Sequence, residues 1–194
     1  MSEKLIGEIE RRVKQLMEGN SFSGHDYLHV QRVYNLANYI GKIEGANELI
    51  LRPAVLMHDL GRIDEAKNPA IKHATASIVY ANDILNEIDF PKQYKEAVLH
   101  IIKFHSWKNT AEAQTIEHKV MQDSDKLDAL GIIGIIRAFD VGGANGRLDY
   151  NPEDPFFRTN RKLDDRQYTL DHFYEKLFKL GMIIIQKPQE ISPN

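Results

Sequence analysis

The sequence contains no cysteine, which excludes disulfides, thiolate metal sites and a cysteine nucleophile together. It also lacks any hydrophobic run long enough to span a bilayer. The start, Met1-Ser2-Glu3-Lys4, leads into a charged amphipathic segment rather than the apolar core of a signal peptide. An excess of one charge is missing too: the formal net charge is −3, so nothing draws the whole chain to nucleic acid or to an anionic membrane. Any phosphate binding must therefore be local. Strand-like alternation is scarce, and there is no internal repeat, low-complexity segment, phosphate-cradling P-loop or serine nucleophile elbow. These absences lead to the expectation of a cytoplasmic protein with no nucleic-acid and no membrane partner.

What is present is ordinary for a globular chain. At 194 residues, with 42% hydrophobic and 27% charged residues, the simplest organisation is one domain over 1–194 with a core of its own. Helical periodicity dominates, which makes the expected fold class all-α. Leu5, Ile9, Val13 and Leu16 share one helical face. A second helix is expected from about His25 to Glu44, started by Ser21, Ser23 or Gly24, with His29 one turn before Val33 on the inward stripe. A third is expected over Asn47 to Leu60, ending at Gly61 and carrying His58-Asp59 in its last turn. Pro69 and Pro91 are expected to open the fourth and fifth helices. Further helices are expected from about Glu112 to Leu130, over Ile132 to Phe139 and from Thr169 to Ile185. Between the last two, residues 142–165 read as a long loop rich in Gly and Pro turn signals, and a short polar tail closes the chain.

The chemistry centres on His58-Asp59, which follows the apolar run Ala54-Val55-Leu56-Met57. A His-Asp dipeptide alone is weak: 8 His and 14 Asp in 194 residues yield roughly 0.6 such pairs by chance. A second pair, His25-Asp26, does occur, but at a helix start, where Asp caps or faces water. The apolar run before His58 delivers its pair to an interior, where a buried imidazole and carboxylate need a partner. With His29 upstream and Asp125 downstream, two imidazoles and two carboxylates could hold one divalent metal ion.

Several segments read together say more. Gly24-His25-Asp26-Tyr27-Leu28-His29, Leu56-Met57-His58-Asp59-Leu60-Gly61-Arg62, Lys103-Phe104-His105-Ser106-Trp107 and Asp123-Ser124-Asp125-Lys126-Leu127-Asp128 follow in that order. Over about residues 20–175 the chain resembles the HD-domain superfamily of metal-dependent phosphohydrolases, closest to its small stand-alone bacterial nucleotide hydrolases. That resemblance implies an all-α, HD-type helical bundle with His29, His58, Asp59 and Asp125 as metal ligands. The resemblance also prefers Asp125 to Asp123, since the family's last ligand stands before a basic residue and Leu, as in Asp125-Lys126-Leu127. One departure is visible. The helix that includes His172-Phe173-Tyr174 is usually followed in relatives by another substantial helix, whereas here Gly181–Ile185 runs into Pro188.

Two imidazoles and two carboxylates suit Mn²⁺ first, with Fe²⁺, Co²⁺ and Ni²⁺ as alternatives and Mg²⁺ less comfortable. Arg62 and Lys126 are candidates for phosphate oxygens, His25 for substrate contact or proton transfer, and Asp128 for orienting a ligand or touching substrate. His73 and His105 stand between the His-Asp pair and the last Asp. They are candidates for phosphate contact or proton donation to a leaving group, and a second metal held by them stays open. His100, His118 and His172 are expected to be structural or exposed, and Trp107 and Tyr27 to be packing residues rather than stacking platforms. Arg147, Arg158 and Arg161 could close over a triphosphate, although a solvated loop is the plainer reading.

The leading function is hydrolysis of a nucleoside triphosphate to monophosphate and pyrophosphate by a metal-activated water, with catalytic roles for His58, Asp59 and His105. Alternatives are a nucleoside 5′-monophosphate phosphatase and a non-catalytic nucleotide- or metal-sensing module. The expected partner is a small nucleotide or phosphate ester, and a homodimer stays open.

Overall fold

The computed structural model describes residues 2–18, 24–106 and 113–180. Every regular element among them is helical, apart from one isolated bridge between Leu148 and Tyr168. The expected all-α class is what is found. The chain forms two compact units, residues 1–125 and 126–194.

The first unit contains α1 (Ser2–Met17), α2 (Tyr27–Glu44), α3 (Glu48–Met57), α4 (Arg62–Lys67), α5 (His73–Glu87), α6 (Lys92–Phe104) and most of α7 (Ile116–Asp128). At its centre lies α3. The residues Leu51, Ala54, Val55, Leu56 and Met57 are all buried, and α1, α2, α5 and α6 pack around the helix. Residues 53–57 form an unbroken buried apolar run, which is stable only when surrounded in this way. The inward stripe of α1 is Ile6, Ile9, Val13 and Met17, one residue displaced from the expected face at two of its four positions. In α2 the buried row is His29, Val30, Val33, Ala37 and Gly41. Gly41 lets α3 approach closely there, since a Cβ would stand 2.4 Å from Leu51 Cδ2 and that side chain would have to shift.

Several boundaries differ from expectation. The start of α2 is set by Asp26, whose carboxylate accepts from the His29 backbone N–H at 2.8 Å, a favoured N-cap. Ser21, Ser23 and Trp107 lie outside the described residues. Helix α3 stops at Met57, and residues 58–61 form turns instead of a last helical turn. A short helix, α4, follows where none was expected, and α5 begins at His73 rather than at Pro69. Pro91 does stand at the N-cap of α6.

In the second unit, α8 (Gly131–Ala144) is longer than the expected Ile132–Phe139 segment. The region after it has no regular element until a π-helical stretch, Phe173–Leu177, which Phe178–Leu180 continues. The expected helix beyond Leu180 and the polar tail lie outside the described residues. The long loop is ordered by internal polar contacts. Asp154 accepts from the Arg158 and Thr159 backbone N–H groups at 2.7 and 3.0 Å and from the Thr159 hydroxyl at 2.6 Å. Arg161 binds the Asp171 carboxylate through both terminal nitrogens at 2.6 and 2.7 Å, a fork that fixes both partners. No described helix is long and apolar enough to cross a membrane.

Candidate metal centre

Three chain segments of the first unit meet at one cluster. The first turn of α2 brings in His29, which is fully buried. The turn after α3 contributes His58 and Asp59, 1% and 2% exposed. Helix α7 contributes Asp125, whose side chain stays 29% exposed and so leaves one side of the cluster open.

A pair of hydrogen bonds fixes the His58-Asp59 turn. The Ser77 hydroxyl on α5 donates to the His58 carbonyl at 2.7 Å and accepts from the Gly61 N–H at 2.8 Å. This capture of a carbonyl left over at the helix end is the physical reason the turn departs from α3. Glycine is required at 61, where the backbone of His73 and Ser77 approaches too closely for any side chain.

The donor atoms are spaced for a shared ion. His29 Nε2 is 3.6 Å from Asp59 Oδ2 and 3.6 Å from Asp125 Oδ1, and His58 Nε2 is 3.6 Å from Asp59 Oδ2. These separations exceed hydrogen-bonding distance. Bonds of roughly 2.0–2.2 Å to one ion place neighbouring donors roughly 3.0–3.5 Å apart, close to what is seen. His58 supplies a direct test of fit. Its Nδ1–H donates to the Val55 carbonyl at 2.7 Å, so Nε2 carries a bare lone pair, and that buried atom has no hydrogen-bond partner. A buried lone pair facing a carboxylate is costly unless a cation lies between them. His29, His58 and Asp125 offer donors all within 4.8 Å of one another, as do His25, His29 and Asp59. The residues present fit a divalent ion.

Around this set, Asp59 is gripped from both sides. His25 Nδ1 donates to its Oδ2 at 2.8 Å, and Arg62 Nε approaches its Oδ1 at 3.4 Å. Although burial opposes ionisation, the Arg62 charge and the hydrogen bond from His25 hold Asp59 well below the usual carboxylate range. Asp125 is likewise lowered against burial, chiefly by His29. Burial, assisted by the Arg62 charge, pushes His25 down to about 3. Burial and then the neighbouring His58 push His105 down to about 4. Both rings are therefore neutral near pH 7.

His105 and His73 also reach the cluster. His105 Nδ1–H donates to the Ile102 carbonyl at 2.7 Å, and its Nε2 lies 3.8 Å from Asp59 Oδ1. His73 and His105 each offer a ring nitrogen within 4.8 Å of a carboxylate oxygen of Asp59 and of each other. Seven expected residues of the first unit thus meet: His25, His29, His58, Asp59, His73, His105 and Asp125, with Arg62 beside them. Lys126 and Asp128 belong to the second unit, where Lys126 is 2% exposed and the Asp128 carboxylate accepts from Arg137 at 2.7 Å. Arg161 is committed to Asp171 within its loop, and Arg158 lies over the Phe156 ring at 5.2 Å. Tyr27 contacts Glu10 through its hydroxyl at 3.3 Å. His118 binds the Phe104 carbonyl at the end of α6, and His172 pairs with Asp165.

Sequence reasoning missed Ser77 as the clamp of the turn, and it missed Glu65. Glu65 lies one turn beyond Arg62 on α4, so the signal was an i, i+3 Arg–Glu pair that only a helix starting at Gly61 would reveal.

A helical unit that brings histidines and aspartates from separate segments to one buried metal-ready cluster defines the HD class of proteins. Residues 26–130 match the HD domain family, and the chain belongs to it. It is 37% identical to the protein YpgQ of Bacillus subtilis (strain 168) over 181 residues, covering 91% of this chain and 79% of that one. Among solved structures, one from Lactobacillus plantarum superposes with a TM-score of 0.76 at 29% identity, covering 96% of this chain and 87% of that one. The Bacillus subtilis YpgQ complex with ADP gives 0.69 at 32% identity, covering 94% and 84%. A Bacillus thuringiensis protein described as an HD-superfamily hydrolase gives 0.68 at 34% identity, covering 96% and 86%.

Proposed function

We propose that the chain is a metal-dependent phosphohydrolase that converts nucleoside triphosphates to monophosphate and pyrophosphate. The observation that carries this reading is the buried cluster in which His58 Nε2 lacks a partner while facing ionised Asp59. Support for a nucleotide substrate comes from YpgQ, which has been seen in complex with ADP. Mn²⁺ remains the proposed ion, on the mixed imidazole and carboxylate donor set.

A divalent ion held by His29, His58, Asp59 and Asp125 would supply Lewis acidity toward a phosphoryl oxygen and lower the pKa of a water molecule. The protein's own groups supply the rest. Arg62, with Nη1 on Glu65 and Nε toward Asp59, retains N–H donors for a phosphate oxygen. His105 is neutral, and its Nδ1 proton is committed to Ile102. Its Nε2 is thus the ring nitrogen that faces the cluster, the atom through which His105 would contact phosphate or pass a proton to a leaving group. His25 keeps Oδ2 of Asp59 in place through its Nδ1–H. His73 contacts substrate, while Lys126 and Asp128 enter the proposal through the motif alone.

The test is to load the metal-free protein with Mn²⁺ and offer nucleoside mono-, di- and triphosphates, with Asp125→Ala alongside. Monophosphate plus pyrophosphate from triphosphates, reduced at least about 100-fold in the variant, is the expected result. Orthophosphate from monophosphates would make the protein a nucleotidase instead. Bound metal without turnover of any nucleotide would overturn the proposal in favour of a sensing module.

A further inference from the structure

Glu65 makes two contacts, one within α4 and one across to the start of α5. Its Oε2 accepts from Arg62 Nη1 at 2.5 Å, and its Oε1 accepts from His73 Nδ1 at 3.1 Å. Arg62 opens α4 and His73 opens α5, so one carboxylate joins the first turns of two packed helices. At 30% exposure, Glu65 alone would count as a half-surface ion pair of little energetic worth. Its two partners both lead inward, however. Arg62 Nε faces Asp59 Oδ1 at 3.4 Å, and the His73 ring lies 5.5 Å from the His105 ring, centroid to centroid.

The chemistry of the contacts is specific. An ionised carboxylate only accepts hydrogen bonds, so the His73 nitrogen at 3.1 Å must carry its proton on Nδ1. That fixes the ring's tautomer and rotation, as a carboxylate does for the outer nitrogen of a metal-site histidine. The same carboxylate holds the guanidinium plane of Arg62, leaving its remaining N–H groups on a set bearing.

We infer that Glu65 is a positioning residue: it sets the spacing and orientation of Arg62 and His73 so that the two together receive the phosphate chain of a nucleotide. The inference rests on the nucleotide reading given above. It concerns binding of the polyphosphate rather than retention of the metal, because Glu65 touches none of the four proposed ligands.

Two arms test it on the full chain. The first uses no substrate: the ring nitrogens of ¹⁵N-labelled histidines are observed by long-range ¹H–¹⁵N correlation, with His73 assigned through its loss in His73→Gln. The expected result is an Nδ1–H tautomer for His73 in the wild type that gives way to the Nε2–H form in Glu65→Ala. An Nε2–H form in the wild type, or an Nδ1–H form unaltered by Glu65→Ala, would overturn the inference. The second arm measures triphosphate turnover with Mn²⁺. Glu65→Ala is expected to raise KM about 10–100-fold with a smaller change in kcat and the same Mn²⁺ stoichiometry. Glu65→Gln, isosteric and still able to accept through its amide oxygen, is expected to fall between, and it guards against misfolding of the alanine variant. An unchanged KM in both variants would overturn the inference. Absence of nucleotide turnover in the wild type would instead refute the functional reading, and the spectroscopic arm then decides the positioning role on its own.

Discussion

At position 61 a Cβ would stand 2.0 Å from the His73 carbonyl oxygen and 2.6 Å from the Ser77 backbone nitrogen. Neither atom is the end of a flexible side chain, so the backbone itself would have to give. Gly61→Ala is expected to cost at least about 3 kcal/mol, seen as a lower urea midpoint at constant slope. Ser77→Ala leaves the Gly61 N–H and the His58 carbonyl without their partner and is expected to cost about 1–3 kcal/mol. Its effect on Mn²⁺ affinity, measured by titration, should accompany that loss. Protonation at the same cluster gives a pH dependence with a definite sign. His25 and His105 titrate at about 3 and about 4 when folded, against about 6.5 in an unfolded chain. Between those values the unfolded state binds more protons, so metal-free stability is complete above about pH 6.5 and falls as the pH drops toward 4. The lowered Asp59 and Asp125 act in the same sense at still lower pH. Denaturation midpoints measured from pH 7 to 4 should decline; a flat profile would contradict the buried neutral imidazoles. The order of these histidines and aspartates was legible in the sequence, through the succession of motifs that carries the family resemblance. Ser77 and Glu65 were not, since a serine or a glutamate on a helix has many ordinary uses.

Helices were legible where an apolar stripe had to be buried, as in α1, α2 and α6. Their ends were less so. Gly61 read as a stop, yet its role is to admit the backbone of α5, and α4 was lost with that reading. Pro69 read as a first-turn proline, but α5 starts only at His73 after a turn. At the start of α2 the signal that counted was Asp26. Asp26→Ala is expected to cost about 1 kcal/mol through the lost cap and to loosen the first turn that presents His29. A measurable weakening of Mn²⁺ binding, with helix content kept by circular dichroism, would bear that out. In the long loop the sequence showed only turn residues. The contacts of Asp154 and the Arg161–Asp171 fork depend on tertiary closure that local pattern does not encode.

For the molecule as a whole, what could be read was the order of the motifs, and what could not was their convergence. His29 and Asp125 stand far apart in sequence, and periodicity says nothing of the path that brings them to 3.6 Å. The family likeness supplied that step. If the cluster holds an ion only when folded, Mn²⁺ should stabilise the chain by linkage, by about 2.7 kcal/mol at one hundred times its dissociation constant. A thermal midpoint that rises with Mn²⁺ in the wild type but not in His58→Ala is the expected observation. Helices α3 and α6 both run out at the cluster, and the imidazoles that follow them, His58 and His105, bind carbonyls of their last turns. The C-terminal end of a helix macrodipole carries roughly half a negative charge. Two such poles therefore back the same pair of rings, only 5.2 Å apart between centroids. The preference for a cation is thus written partly into the backbone, and it should survive, weakened, when Asp59 and Asp125 are both changed to asparagine.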